Sequence, residues 1–274
     1  TINKINDMNN TAYIDIFFSF LVSYIVTNDK NPSFPIYYGT TTSIGEYLYD
    51  ISDEYRDIKY HNGFKQMEKH INIKKCVIPS RSSRSSRSSR SSRSSRSSYY
   101  DSDDNDEDYI AEFKNIPISR LFIEKLDGTL DKIIKESLSF ELLRSCIFQI
   151  SFALLFLQKH FSFCHNDLHI DNVMYSNTDK EFLYYKLNNQ YFKIPTYGKI
   201  FKIIDFGRSI FTFKDKVYMN DVFSKYGEAE GQYNYPSQIP FMKNESYTIS
   251  DPCYYFDLCR LCITIIDEID YNYN

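Results

Sequence analysis

The chain has 274 residues, 42% of them hydrophobic and 25% charged, which is enough to bury a sizeable core as one large domain or two smaller ones. A formal net charge of −4 gives no basis for wholesale nucleic-acid binding. Six cysteines (Cys76, Cys146, Cys164, Cys253, Cys259, Cys262) follow no disulfide-framework spacing, so a reducing, intracellular setting is expected rather than secretion.

Residues 11–27 contain the most apolar run, "IDIFFSFLVSYIV", and read as a buried helix that ends at "TNDKNPS". The run is too short to span a bilayer, carries Asp15 inside it, and follows no secretory signal pattern, so no membrane span is expected. "FPIYYG" (34–39) reads as a short strand, and 45–78 as a mixed, charged stretch with weak helical character. A strict three-residue repeat, "RSSRSSRSSRSSRSSRSS" (81–98), is followed by the acidic "DSDDNDED" (101–108). Neither can bury enough apolar surface to offset the entropy of ordering, so both are expected to be disordered. The Arg/Ser tract fits a surface insertion with its charge partly balanced by the neighbouring acids better than an RNA-binding or phosphorylated segment.

Order is expected to resume at "ISRLFIEKLDGTLDKIIKE" (118–136), as a strand through Phe122 and Ile123, a turn and a short helix. The strongest helical periodicity lies at 138–160, where Leu143, Cys146, Ile147, Ile150, Ala153, Leu154 and Leu157 recur at three- and four-residue steps. "GKIFKII" (198–204) reads as a strand that delivers Asp205. In "DPCYYFDLCRLCITIID", Asp251 reads as an N-cap and Pro252 as the first helical residue. Cys259 and Cys262 form a lone C-x-x-C without further metal ligands, and packing is the expected role.

Two stretches gather chemistry. "CHNDLHIDN" (164–172) packs His165, Asp167, His169 and Asn172 into a loop after the strong helix, and "IIDFGRS" (203–209) follows a strand. Phosphoryl transfer requires a group that orients the attacking hydroxyl, together with oxygen ligands for the metal ions that neutralise the phosphates. The spacing of His165, Asp167, Leu168 and Asn172, followed by Asp205-Phe206-Gly207, matches the protein-kinase catalytic loop and D-F-G in order and context.

The chain further resembles haspin-like eukaryotic-type Ser/Thr protein kinases, in the divergent form seen in giant viruses. His169 stands where most Ser/Thr kinases have Lys, as in haspin-like D-L-H loops. The insertion "LYYKLNNQYFKIPTYG" (183–198) and "YFDLCRLC" also resemble haspin segments, and no A-P-E follows the D-F-G. The resemblance covers about residues 118–265. It implies an α+β, protein-kinase-like fold, ATP and Mg²⁺ as cofactors, and transfer to Ser/Thr of a protein substrate. A monomer with no membrane partner is expected, with nucleic acid a lesser alternative through the Arg/Ser tract. The resemblance further implies that Asp167 and His169 are catalytic, that Asn172 and Asp205 hold magnesium, and that backbone around Glu124–Leu126 faces adenine. His165 then braces the loop from beneath, and Asp257 ties it to the last helix.

Several positions depart from the pattern. Asn166 replaces the Arg of H-R-D. No Glu occurs before Glu46 to serve as the regulatory-helix acid, Lys4 has no strand around it, and Gly39 and Gly45 are too sparse for a phosphate cradle. The expected layout is therefore a partial N-terminal lobe (1–78), a disordered linker (79–110), the last strand of that lobe with the hinge (111–126), and a C-terminal lobe incomplete at its end (127–274). A pseudokinase binding module and a small-molecule phosphotransferase of the choline or aminoglycoside kinase type are the competing classes.

Overall fold

The computed structural model describes residues 6–52, 55, 59–60, 62, 72–77, 107–220, 222–223, 229 and 252–273. The Arg/Ser repeat, most of the acidic run and Asp251 lie outside the described residues. The chain is α+β, with helices α1 (Thr11–Thr27), α2 (Leu130–Ser137), α3 (Phe140–Phe161) and α4 (Phe256–Tyr273) and small antiparallel sheets. Its contacts divide it into two compact units, one of residues 1–40 with 121–274, the other of residues 41–120.

The second unit centres on a sheet of order β1–β3–β2, with β1 at Tyr37–Asp50, β2 at Asn72–Val77 and β3 at Glu107–Ile123. β1 is far longer than the strand expected at 34–39, and its residues 45–50 take strand where weak helix was expected. β3 begins inside the acidic run, because Glu107 and Asp108 pair with Val77 and Cys76 of β2. Local charge predicted coil there; the cross-strand ladder supplies the backbone partners that override it. Gly45 has a packing role: a Cβ there would lie 2.5 Å from Ile118 Cδ1.

In the first unit, α1 starts at Asn10, whose Oδ1 accepts the Ala12 N–H at 3.0 Å. It ends where Asn28 N–H bonds Tyr24 O and Asp29 turns to φ 55°. Its inner stripe of Ile14, Phe18, Leu21, Val22 and Ile25 is buried. Phe18 stacks on Phe163 at 4.7 Å and also meets Phe206 and Phe211, so α1 packs directly on the two motif-bearing segments.

The helical stretch expected at 138–160 is α3, capped by Ser139 Oγ on Leu142 N–H and closed by Ser162 in the left-handed region. α3 is long and apolar enough to cross a membrane by length and composition alone. In this fold it is the core helix, with Cys146, Ile150, Ala153, Leu154 and Leu157 buried. Gln149 is also fully buried: its Oε1 accepts Phe201 N–H at 2.9 Å, and its Nε2 reaches Ser145 Oγ and Lys199 O. Gln149→Leu strands these groups away from water and should cost about 2–3 kcal/mol, a melting-temperature fall of roughly 5–10 °C by calorimetry.

Beyond α3, a sheet of order β4–β5–β8 joins β4 (Gly128–Thr129), β5 (Val173–Asn177) and β8 (Lys199–Ile203). The hairpin of β6 (Phe182–Leu187) and β7 (Gln190–Pro195) occupies the 183–198 insertion and turns at Asn188, φ 54°. A second hairpin, β9 (Phe211–Phe213) with β10 (Lys216–Tyr218), follows the D-F-G. α4 starts at Phe256 rather than at Pro252, which lies in the preceding non-helical stretch. Cys259 on α4 is exposed, so the packing role expected of it is not the one it has here.

Candidate functional site

β5 and β8 position the candidate site. They run antiparallel with Val173 opposite Ile203, so Asn172, just before β5, and Asp205, just after β8, emerge at the same end of the pair. Ile204 N–H donates to Asn172 O at 3.1 Å, extending the ladder by one bond. Asn172 is the last residue of a short 3₁₀ turn, Ile170–Asn172, and its Nδ2 donates to Asp167 O at 3.0 Å. The turn thus draws Asp167 and Asn172 together across the loop.

The loop is held from below. His165 is fully buried, and its Nε2 lies 3.0 Å from Ile204 O while Nδ1 accepts Asp167 N–H at 3.3 Å. These partners select the tautomer with the proton on Nε2. The carboxylate of Asp257, fully buried at the start of α4, accepts His165 N–H on Oδ2 at 2.7 Å and Asn166 N–H on Oδ1 at 2.9 Å. Burial pushes its carboxyl above the ordinary range, against the opposing pull of His165 and the two N–H donors.

Asn166 has a job of its own. Its backbone sits at φ 66°, a region that asparagine tolerates better than most residues, and its Nδ2 donates to Arg208 O at 2.9 Å. The residue that departs from the H-R-D pattern therefore links the loop to the residue after Gly207.

Asp167 is partly buried, and two guanidiniums meet it. Arg208 Nη1 lies 3.0 Å from Oδ2, and Arg260 Nη2, from α4, lies 3.3 Å from Oδ1. His169 is half-buried; burial lowers its pKa, although Asp167 and Asp171 pull upward. Its Nδ1 accepts Asp171 N–H at 3.3 Å.

Asp205 is exposed and left-handed, at φ 63°. Phe206 behind it is fully buried against Phe18, Phe163 and His165, which anchors the turn. Gly207 is tightly placed: a Cβ would come within 2.9 Å of Thr11 Cγ2.

Sequence reasoning missed several residues. Asp15 of α1 accepts Phe206 N–H on Oδ1 at 2.9 Å. Burial, reinforced by the nearby Asp205 charge, raises its pKa, while the Phe206 N–H opposes the shift. No glutamate was available for α1, and this aspartate is the acid that the helix presents to the D-F-G. Its signal was a lone charge beside the apolar stripe. Arg208 and Arg260, the two guanidiniums on Asp167, were not singled out. Lys202 pairs in the interior with Glu124 at 2.9 Å. The backbone of Glu124–Leu126 follows β3, and Glu124 N–H already donates to Ile36 O at 2.7 Å. Among the described residues, no group of three or more His, Cys, Asp or Glu side chains converges to hold a metal.

Comparison with known proteins gives partial matches. No family model matches the chain. A 106-residue stretch, 35% of the chain, is 38% identical to a probable serine/threonine-protein kinase of Dictyostelium discoideum, covering 9% of that protein. A 74-residue stretch, 26% of the chain, is 39% identical to an uncharacterized protein of invertebrate iridescent virus 6, covering 12% of it. The chain therefore spans about a tenth of the length of these curated relatives. The similarity to that probable serine/threonine-protein kinase is confined to this stretch.

Proposed function

We propose that the chain has a protein-kinase-like fold of the haspin-like type and takes part in ATP-dependent phosphoryl transfer to Ser/Thr of a protein substrate. The observation that carries this reading is the convergence of Asp167, Asn172 and Asp205 on one end of the β5–β8 pair, over a loop fixed by Asp257. The partial similarity to a probable serine/threonine-protein kinase supports the same class.

The donor set fits magnesium: Asn172 and Asp205, at the same end of the β5–β8 pair, each carry a side-chain oxygen, and Mg²⁺ would complete its shell with phosphates and water. Bound Mg²⁺–ATP supplies the transferable phosphoryl group and neutralises its charge. Asp167 orients the acceptor hydroxyl and takes its proton, and His169 stands beside it in the loop. Backbone at Glu124–Leu126 meets the base, while His165 and Asp257 hold the loop. We place the protein in the cell interior as a monomer acting on protein.

A second reading has one observation in its favour. Both oxygens of Asp167 contact a guanidinium, an arrangement that also suits a binding module that no longer transfers phosphate.

The direct test is titration calorimetry with Mg²⁺–ATP. Asp205→Asn removes the charged ligand and should weaken Mg²⁺-dependent nucleotide affinity at least tenfold. Unchanged affinity in that variant would remove Asp205 from the metal site.

A further inference from the structure

We propose that Lys202 is a positioning residue for nucleotide recognition, holding the backbone of residues 124–126 in place to meet a purine base through its ion pair with Glu124. The proposal rests on the phosphotransfer reading above and assigns a determinant of base binding that lies outside both motifs.

Lys202 is 6% exposed, although it sits on β8 with a full charge. Lysine is almost never buried unless paired. Its Nζ donates to Glu124 Oε2 at 2.9 Å and to Phe34 O at 2.9 Å. The same Oε2 accepts Ile36 N–H at 3.1 Å, and Oε1 accepts Ser176 Oγ–H at 3.1 Å. The ion pair therefore ties together Phe34 and Ile36, the segment after β3, β5 and β8.

Stability alone is a poor explanation for this arrangement. Desolvating two charges offsets most of their attraction, and well-packed apolar side chains of similar volume stabilise as well or better. A buried pair does supply a single geometry. With Glu124 N–H committed to Ile36 O and its carboxylate fixed at three points, residue 124 has one available orientation, and the chain leaves it toward Leu126 in one direction. The brace is also continuous with the candidate metal end. Lys202 stands three residues before Asp205, roughly 10 Å along an extended chain. That is comparable with the reach of a nucleotide from base to terminal phosphates. Lys202 thus fixes the base-facing backbone on the strand that delivers Asp205.

The test measures equilibrium binding of adenosine, which lacks phosphates, alongside Mg²⁺–ATP, for the full chain and three variants. Lys202→Met leaves the partly buried Glu124 carboxylate without its cation, so it should both lower the melting temperature and weaken adenosine at least tenfold. Lys202→Met with Glu124→Gln removes both charges and keeps an acceptor for Ile36 N–H. That pair should recover most of the melting temperature while adenosine binding stays at least tenfold weaker. Lys202→Arg, which keeps charge and donors, should restore adenosine binding to within about threefold.

A double variant that is folded and binds adenosine as the wild type does overturns the proposal and leaves the phosphotransfer reading standing. A double variant that fails to regain its fold also counts against it, because the pair would then be structural first. A wild-type chain that binds neither adenosine nor Mg²⁺–ATP overturns the proposal together with the reading beneath it.

Discussion

Asp167→Asn is expected to lower phosphoryl transfer by about 10²–10⁴-fold, the range for losing a positioned general base. The amide keeps the size of the side chain, and the loop keeps its supports, because His165, Asn172 and Asp257 bond its backbone rather than this carboxylate. Folding should therefore survive. The measurement is labelled-phosphate transfer to Ser/Thr peptides, with melting temperature as the control. Full activity in a folded Asp167→Asn protein would take the acceptor-orienting role away from this residue.

The two guanidiniums sharpen that experiment. An acceptor hydroxyl needs one Asp167 oxygen, and Arg208 and Arg260 each contact one. Each oxygen keeps a second lone pair, so the hydroxyl either shares an oxygen with a guanidinium or displaces one. Both arginines are about three-quarters buried, and Asp167 more so, which makes exchange harder than at an open surface pair. Wild-type protein that binds Mg²⁺–ATP yet transfers no phosphate to varied peptides would favour the binding-module reading.

What the sequence revealed depends on how local the cause was. The α3 stripe was legible because one face of one helix carries it, and seven of its positions recur at helical steps. The motif loops were legible because each is short and contiguous in sequence: Asp167 and Asn172 lie within "CHNDLHIDN", and Asp205 within "IIDFGRS". β3 was misjudged because its acidic start looks like coil until β2 is set beside it. The start of α4 was misjudged because Pro252 fits a first turn on local grounds. Asp15, Lys202, Arg208 and Arg260 were missed for a common reason: each acts through a partner far away in sequence. Phe206 for Asp15 and Glu124 for Lys202 could not be paired without a fold.

Asp257→Asn is expected to destabilise the protein by about 2–4 kcal/mol, a melting-temperature fall of roughly 5–15 °C. The reason is the geometry of its two backbone N–H hydrogen bonds, beside which Cys164 Sγ donates a longer one to Oδ1 at 3.6 Å. His165 N–H points at one oxygen and Asn166 N–H at the other, and an ionised carboxylate accepts both. An amide has one oxygen, so whichever way it turns, one backbone N–H faces an NH₂ donor in a site with no water exposure. Removing the charge relieves part of the burial cost that raises this group's pKa, which keeps the loss below that of breaking an ion pair. Asp257→Ala strands both N–H groups and leaves a cavity, so it should be the more severe change. The loss should reach the site as well, since Asp167 and Asn172 are placed by the loop that Asp257 holds. Nucleotide affinity and transfer rate should fall together, measured at a temperature where the variant is still folded. A folded Asp257→Asn protein with wild-type melting and wild-type transfer would show that the loop is set by His165, Asn166 and Ile204 without the help of the Asp257 carboxylate.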